Sequence, residues 1–186
     1  GNNTITGNGG ANVLRGLGGN DALDGAGGTD TAAFSGTVAN HSFSLSGTSL
    51  VVADNRAGNP DGTDTLTNIE AVLFGAGATL TLRLGTNGAA GDTVNGTNAN
   101  ELLLGFNGND TLNAGGGDDF LVGGAGTDTL NGGTGDDTIV ASIGDGNDNI
   151  NGGAGADTID GGGGVDMVIY VTSGAGVSVN LATNVN

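Results

Sequence analysis

The stretch GGAGTDTLNGGTGDDTIV, residues 123–140, decides how this chain is read, because it is one nine-residue unit written twice. The unit continues on both sides as GFNGNDTLN (105–113), AGGGDDFLV (114–122), GGAGADTID (152–160) and GGGGVDMVI (161–169). Its sixth place is acidic at Asp92, Glu101, Asp110, Asp119, Asp128, Asp137, Asp148, Asp157 and Asp166. Two places later stands an aliphatic: Val94, Leu103, Leu112, Leu121, Leu130, Ile139, Ile150, Ile159 and Val168. The step is nine throughout, except between Asp137 and Asp148, where two extra residues enter within ASIGDGNDNIN. Self-similarity at a short fixed period predicts a solenoid.

The residue types divide the unit into a loop and a strand. Glycines at places one to four suit a turning backbone with φ > 0. The Thr, Leu, Ile and Val that follow favour a short strand. Side chains alternate along a strand, so the eighth place points inward and places seven and nine point outward. Two units then make one turn of a flattened spiral, an all-β parallel β-roll. The aliphatics of alternate units face one another across a thin core. Turns stack ~4.8 Å apart, which brings the sixth-place acids of units two apart into a ladder on each edge. Neighbouring carboxylates in such a ladder repel by on the order of 1 to 4 kcal/mol per pair, so a cation is required between them. Calcium suits the place, since it takes six to eight oxygens and accepts carboxylates and backbone carbonyls together.

The units GGAGTDTLN, GGTGDDTIV and GGAGADTID resemble the GGxGxDxUx nonapeptide of the RTX family. The resemblance implies a calcium-binding parallel β-roll, secretion, and partnership with a bacterial type I secretion machinery. It further implies that each calcium lies between turns two units apart. The first turn would give carbonyls from places two and four plus its acid, and the second would give carbonyls from places one and three plus its acid. On one edge this sets Gly88, Ala90 and Asp92 against Gly105, Asn107 and Asp110. Next come Phe106, Gly108 and Asp110 against Gly123, Ala125 and Asp128, then Gly124, Gly126 and Asp128 against Asp148. The edge ends with Gly144, Gly146 and Asp148 against Gly161, Gly163 and Asp166. The other edge sets Thr97, Ala99 and Glu101 against Ala114, Gly116 and Asp119, then Gly115, Gly117 and Asp119 against Gly132, Thr134 and Asp137. Its last pairing is Gly133, Gly135 and Asp137 with Gly152, Ala154 and Asp157. About seven calcium ions result. Glu101 is one methylene longer than the pattern's acid, and the insertion disturbs the Asp128 to Asp148 pairing.

Composition agrees with a metal-dependent fold. Three Lys and Arg stand against twenty Asp and Glu, the formal charge is −17, and aromatics are 3% of the chain. A chain so acidic and so poor in large apolar groups has little to offset its backbone entropy, unless bound cations cancel the repulsion. With Arg15, Arg56 and Arg83 as its only Lys or Arg residues, it offers no basic patch to a nucleic acid. No apolar run is long enough to span a bilayer as a helix. The absence of cysteine excludes disulfides and thiolate metal sites. One histidine and no cysteine give no nucleophile and base pair, so no catalysis is expected of this chain. It opens inside a repeat and its last residues, VSVNLATNVN, alternate like an unfinished strand, so it reads as a fragment of a longer secreted protein, such as a protease or lipase.

Four regions follow. Residues 1–33 form a degenerate first β-roll block in the same register, with Asn3, Asn12, Asp21 and Asp30 at the sixth place. Asn carries no charge, so the Asn3–Asp21 and Asn12–Asp30 pairs are expected to bind calcium weakly if at all. Residues 34–90 are an interrupting non-repeat β segment, with strands at SFSLS, SLVVAD, EAVLF and TLTLRL and a turn through Pro60 and Gly62. Its AAFSG, DNR and DGTDTLTNIE also resemble the segment beside nonapeptide blocks in secreted RTX proteins, and Asp64, back in phase, is a candidate ligand. Residues 91–169 are the main roll, and residues 170–186 begin a further β segment. His41 reads as a loop residue, Tyr170 and Met167 as the finish of the roll, and Asp24, Asp118, Asp136 and Asp160 as solvent-facing. The alternative function is a structural array of an adhesin, surface-layer or ice-binding protein, with cell-surface attachment or self-association. For ice binding, place five (Asn109, Asp118, Thr127, Asp136, Asn147, Ala156, Val165) lacks a regular Thr or Asn row.

Overall fold

A computed structural model describes residues 1–142, 146–169, 174 and 176–181. The expectations for Gly144, Tyr170 and most of the final segment lie outside these residues. The described chain is almost wholly β, with one turn of 3-10 helix at Val38–Asn40, and it divides into two compact units, Gly1–Thr81 and Leu82–Asn186.

The second unit contains the regular coil. One sheet consists of β10 (Thr93–Asn95), β12 (Thr111–Gly116), β14 (Thr129–Thr134), β16 (Asn149–Ala154) and β18 (Met167–Ile169). The opposite sheet contains β11 (Glu101–Asn107), β13 (Phe120–Ala125), β15 (Thr138–Ser142), β17 (Thr158–Asp160) and β19 (Ser178–Asn180). All of these pairs are parallel, and the register matches eighth place to eighth place: Val94 with Leu112, Leu112 with Leu130, Leu103 with Leu121, Leu121 with Ile139. The insertion does not break it, because Leu130 pairs with Ile150 and Ile139 with Ile159 across the longer step. β19 pairs with β17 through Val179 and Ile159, so the strand at the end of the chain is one more rung of this roll. Leu103, Leu112, Leu121, Leu130, Ile139 and Ile150 are fully buried in a single core. Each contributes ~1.5 to 3 kcal/mol of burial.

The first unit repeats the plan and then departs from it. β1 (Thr4–Thr6) pairs with β3 (Ala22–Asp24), and β2 (Val13–Leu14) with β4 (Thr31–Phe34), all parallel. The non-repeat segment supplies the third rung on each side: β7 (Thr63–Thr67) lies parallel to β3 with Leu66 beside Leu23, and β8 (Ala71–Phe74) parallel to β4 with Val72 beside Ala32. Antiparallel strands then follow the parallel ones, β6 (Ser49–Asp54) beside β7 with β5 (His41–Ser46) beyond it, and β9 (Thr79–Leu84) beside β8.

Candidate metal centre

The loop from Gly123 to Asp128 illustrates how the sequence builds the site. Positive φ falls at places two and four, here Gly124 (110°) and Gly126 (135°), where a Cβ would also collide with the carbonyls of Phe106 and Gly108 in the turn before. Place one is small for another reason. A Cβ on Gly123 would meet the carbonyl of Ala141 and, at 2.5 Å, Oδ2 of Asp128. The same meeting recurs at Gly105, with the Gly123 carbonyl and Asp110 Oδ2 (2.6 Å), and at Gly132, with the Gly152 carbonyl and Asp137 Oδ2. Carbonyl and carboxylate oxygens therefore converge at these three first places. Ala141, which the repeat register does not single out because the insertion follows it, provides that carbonyl at the step to Asp148.

Two hydrogen bonds hold each rung to the next. The place-six N–H donates to Oδ1 of the acid one turn on: Asp110 to Asp128 (2.8 Å), Asp119 to Asp137 (2.9 Å), Asp128 to Asp148 (2.7 Å), Asp137 to Asp157 (3.1 Å), Asp148 to Asp166 (3.0 Å). The place-seven N–H donates to the place-six carbonyl one turn back, as Thr129 does to Asp110 and Thr138 to Asp119, both at 2.8 Å. Only one carboxylate oxygen is used in this way. Oδ2 of Asp110, Asp119, Asp128, Asp137, Asp148 and Asp157 is buried and has no hydrogen-bond partner among the described residues.

A buried, unpaired carboxylate oxygen is costly, and the electrostatics record it. Burial, opposed by the hydrogen bond from the neighbouring backbone and reinforced by adjacent acids, raises Asp119 and Asp128 from 3.8 to about 6 and Asp137 to about 7. Asp110 and Asp148 are raised for the same first cause. Rows of hard oxygens, anionic and under-bonded, beside inward carbonyls fit a divalent cation of calcium's type.

The ends of the roll differ. Asp92 is half-buried, and the Thr86 N–H (2.7 Å) and hydroxyl (2.8 Å) both donate to its Oδ2, holding its carboxyl below the usual range. Gly88 and Ala90 are exposed. Glu101 is buried and fully bonded: Arg83 lies 3.1 Å from Oε1, and Thr97 donates through its N–H to Oε2 (2.7 Å) and its hydroxyl to Oε1 (2.8 Å). Arg83 stands 18 residues before Glu101, so the chain's own cation occupies the next sixth place of that ladder. The extra methylene of Glu101 gives it the reach to meet this arginine. Asp118 and Asp136 are exposed, as expected, and each accepts a place-five N–H from the adjoining turn, Asp118 from Asp136 (2.9 Å) and Asp136 from Ala156 (2.8 Å). Asp24 and Asp160 are only partly exposed.

In the first unit the ladders run Asn3, Asp21, Asp64 and Asn12, Asp30, Glu70. The Asn3 N–H donates to Asp21 (2.6 Å) and the Asp21 N–H to Asp64 (2.8 Å); the Asn12 N–H donates to Asp30 (2.8 Å) and the Asp30 N–H to Glu70 (2.7 Å). Asp64 is buried and, mainly for that reason, raised to about 6. Glu70 escaped the sequence reading because no glycine loop precedes it.

His41 is a correction. It does not lie in a loop but opens β5, buried, with its ring centroid 4.7 Å from Phe74 and 5.7 Å from Phe34. Its Nδ1 is 2.9 Å from the Thr37 carbonyl and its Nε2 is 3.7 Å from Asp61. Beside it Arg56 forks onto Asp54 (2.9 and 2.7 Å) and reaches Asp61 (3.1 Å) and the Ser35 hydroxyl (2.6 Å). His41, Asp54 and Asp61 bring ligand-type atoms within 4.8 Å of one another, yet Asp54 already accepts from Arg56 and from the Asp61 N–H (3.0 Å). The arginine is the cation of this cluster, and it closes the β5–β6 hairpin against the β6–β7 turn.

Residues 1–32, 86–121, 104–139 and 142–169 each match the RTX calcium-binding nonapeptide repeat, together more than half of the chain. The chain belongs to the RTX nonapeptide-repeat family. Its roll is a calcium-binding module whose role is structural rather than catalytic. No curated protein matches this RTX chain. Among solved structures it is similar to the extracellular lipase LipA from Serratia marcescens, at 18% identity and a TM-score of 0.31 over 98% of this chain. The chain spans 33% of that protein's length. Among the described residues no helix is long and apolar enough to cross a membrane.

Proposed function

We propose that this RTX roll is a calcium-driven folding module of a larger secreted protein, unfolded where calcium is scarce and folded after export through a type I machinery. The observation that carries it is the row of buried acids whose second oxygens have no donor, with a backbone carbonyl converging beside those of Asp110, Asp128 and Asp137. Calcium between acids two units apart, Asp110 with Asp128 or Asp119 with Asp137, would satisfy those oxygens and cancel their repulsion. The further ligands are the carbonyls of places two and four in one turn and one and three in the next, as set out above. The main roll then takes about seven ions, and the first unit adds Asp21, Asp30 and Asp64 as donors. Each ion that binds only the native state adds RT ln(1 + [L]/Kd), ~2.7 kcal/mol at a hundredfold excess over Kd. Native mass spectrometry of the whole chain in excess calcium tests the count. A ladder of bound ions rising to about seven or more is expected, and a spectrum with one ion or none contradicts the reading.

A further inference from the structure

We infer that the non-repeat segment completes an additional calcium site in the first unit, with Asp30, Glu70 and the backbone carbonyl of Asn68 as ligands. The inference rests on the calcium reading above, but its residues lie outside the nonapeptide pattern. The observation is an equivalence of position. A Cβ on Gly25 would meet the Asn68 carbonyl and, at 2.5 Å, Oδ2 of Asp30, as one on Gly123 would meet the Ala141 carbonyl and Asp128 Oδ2. The Asp30 N–H donates to Glu70 Oε2 at 2.7 Å, as the Asp110 N–H donates to Asp128 Oδ1 at 2.8 Å. The Ala71 N–H donates to the Asp30 carbonyl at 3.0 Å, as the Thr129 N–H donates to that of Asp110. The second half of a nonapeptide site is thus reproduced by TLTNIEA, a stretch without a glycine.

Asn68 makes this possible. Its φ of 50° lies in the left-handed region, which asparagine tolerates better than other residues with a Cβ, and the turn brings its carbonyl to Gly25. The first half of the site is already formed. Ala26 (φ 69°) and Gly28 (φ 123°) repeat the positive φ of places two and four. Asp30 is 0% exposed, and its Oδ2 has no hydrogen-bond partner among the described residues. A buried, under-bonded carboxylate oxygen beside a carbonyl and a second carboxylate is a set of hard donors for calcium. Glu70 is long enough to reach from a strand entry where the glycine loop is missing. On this reading the segment beside the first block is a ligand donor that closes the block's calcium ladder.

The test is an anomalous difference map from crystals of the whole chain grown in calcium. A peak ~2.3 to 2.6 Å from Asn68 O and Asp30 Oδ2 is expected. Peaks in the main roll with none at this place overturn the inference alone, and no peaks anywhere overturn the reading beneath it. In solution, Glu70→Gln keeps an oxygen for the Asp30 N–H while removing the charge, and Gly25→Ala places a methyl in the site. Each is expected to lower the ion count by about one, against about two for Asp119→Ala. A wild-type count in Glu70→Gln, with Asp119→Ala still losing two, contradicts the assignment of Glu70.

Discussion

Each place-six aspartate in the middle of the roll is shared between neighbours: Oδ1 is bonded to the backbone of the turn before, and Oδ2 is left bare. If each ion joins acids two units apart, Asp119 serves two ions and Asp166 one. Calorimetric titration of Asp119→Ala should then lose about two ions, Asp166→Ala about one, and Asp118→Ala, one residue away and exposed, none; equal loss at 118 and 119 would mean the register is wrong. The same acids set the pH response. Asp119 and Asp128 are raised from 3.8 to about 6 and Asp137 to about 7. A raised acid favours the metal-free fold below its unfolded value, and that contribution is lost as pH climbs through the folded one. Metal-free protein, largely unfolded near neutrality, should therefore begin to fold, and to melt at rising temperature, as pH falls from 7 toward 4, whereas protons compete with calcium and should lower the melting temperature of the metal-bound form. Melting curves with and without chelator check this, and parallel trends would contradict it. Sixth-place acids were legible in the sequence because they recur. Arg83 on Glu101 was not, since a single arginine within the non-repeat segment carries no periodic mark until the register places it 18 residues upstream.

Strands here are short and gain their stability from stacking, so the cost of a core change depends on its neighbours. Leu130 is fully buried between Leu112 and Ile150, and Leu130→Ala should cost about 2 to 5 kcal/mol in chemical unfolding with calcium present. A loss under about 1 kcal/mol would mean the core is not closed there. The parallel strands were legible from the eighth-place aliphatics, and the register survives the insertion because both edges lengthen by the same two residues. The hairpin strands were legible as elements but not as a cluster. His41, Arg56 and Asp61 meet through antiparallel pairing, which leaves no period in the sequence, and the lone histidine therefore read as a loop residue. Arg56 bonds Asp54, whose side chain is 0% exposed, and pulls its carboxyl well below the usual range. Arg56→Ala strands that buried charge and should destabilise the first unit by about 3 kcal/mol, the low end for a broken buried pair because the arginine is itself 27% exposed. Unfolding by urea in calcium reads the change, and a stability within 0.5 kcal/mol of wild type would contradict it.

The whole molecule carries a formal charge of −17, and two of its three arginines, Arg56 and Arg83, are already paired with acids. The main roll is a stack of repeats in which an aspartate recurs at rung after rung, with the interfaces between rungs as the main source of stability. Without a cation, each central interface joins two buried carboxylates. With one, as proposed, it would join two ligands of a shared ion. On the proposed reading calcium converts a repelling stack into a cohesive one, and far-ultraviolet circular dichroism with thermal melting, in excess chelator and in millimolar calcium at pH 7.5, detects that conversion. A β spectrum with a cooperative melt in calcium, replaced by a largely unfolded spectrum in chelator and restored on adding calcium back, is the predicted result; a full β spectrum in chelator with an unchanged melting temperature would contradict the account.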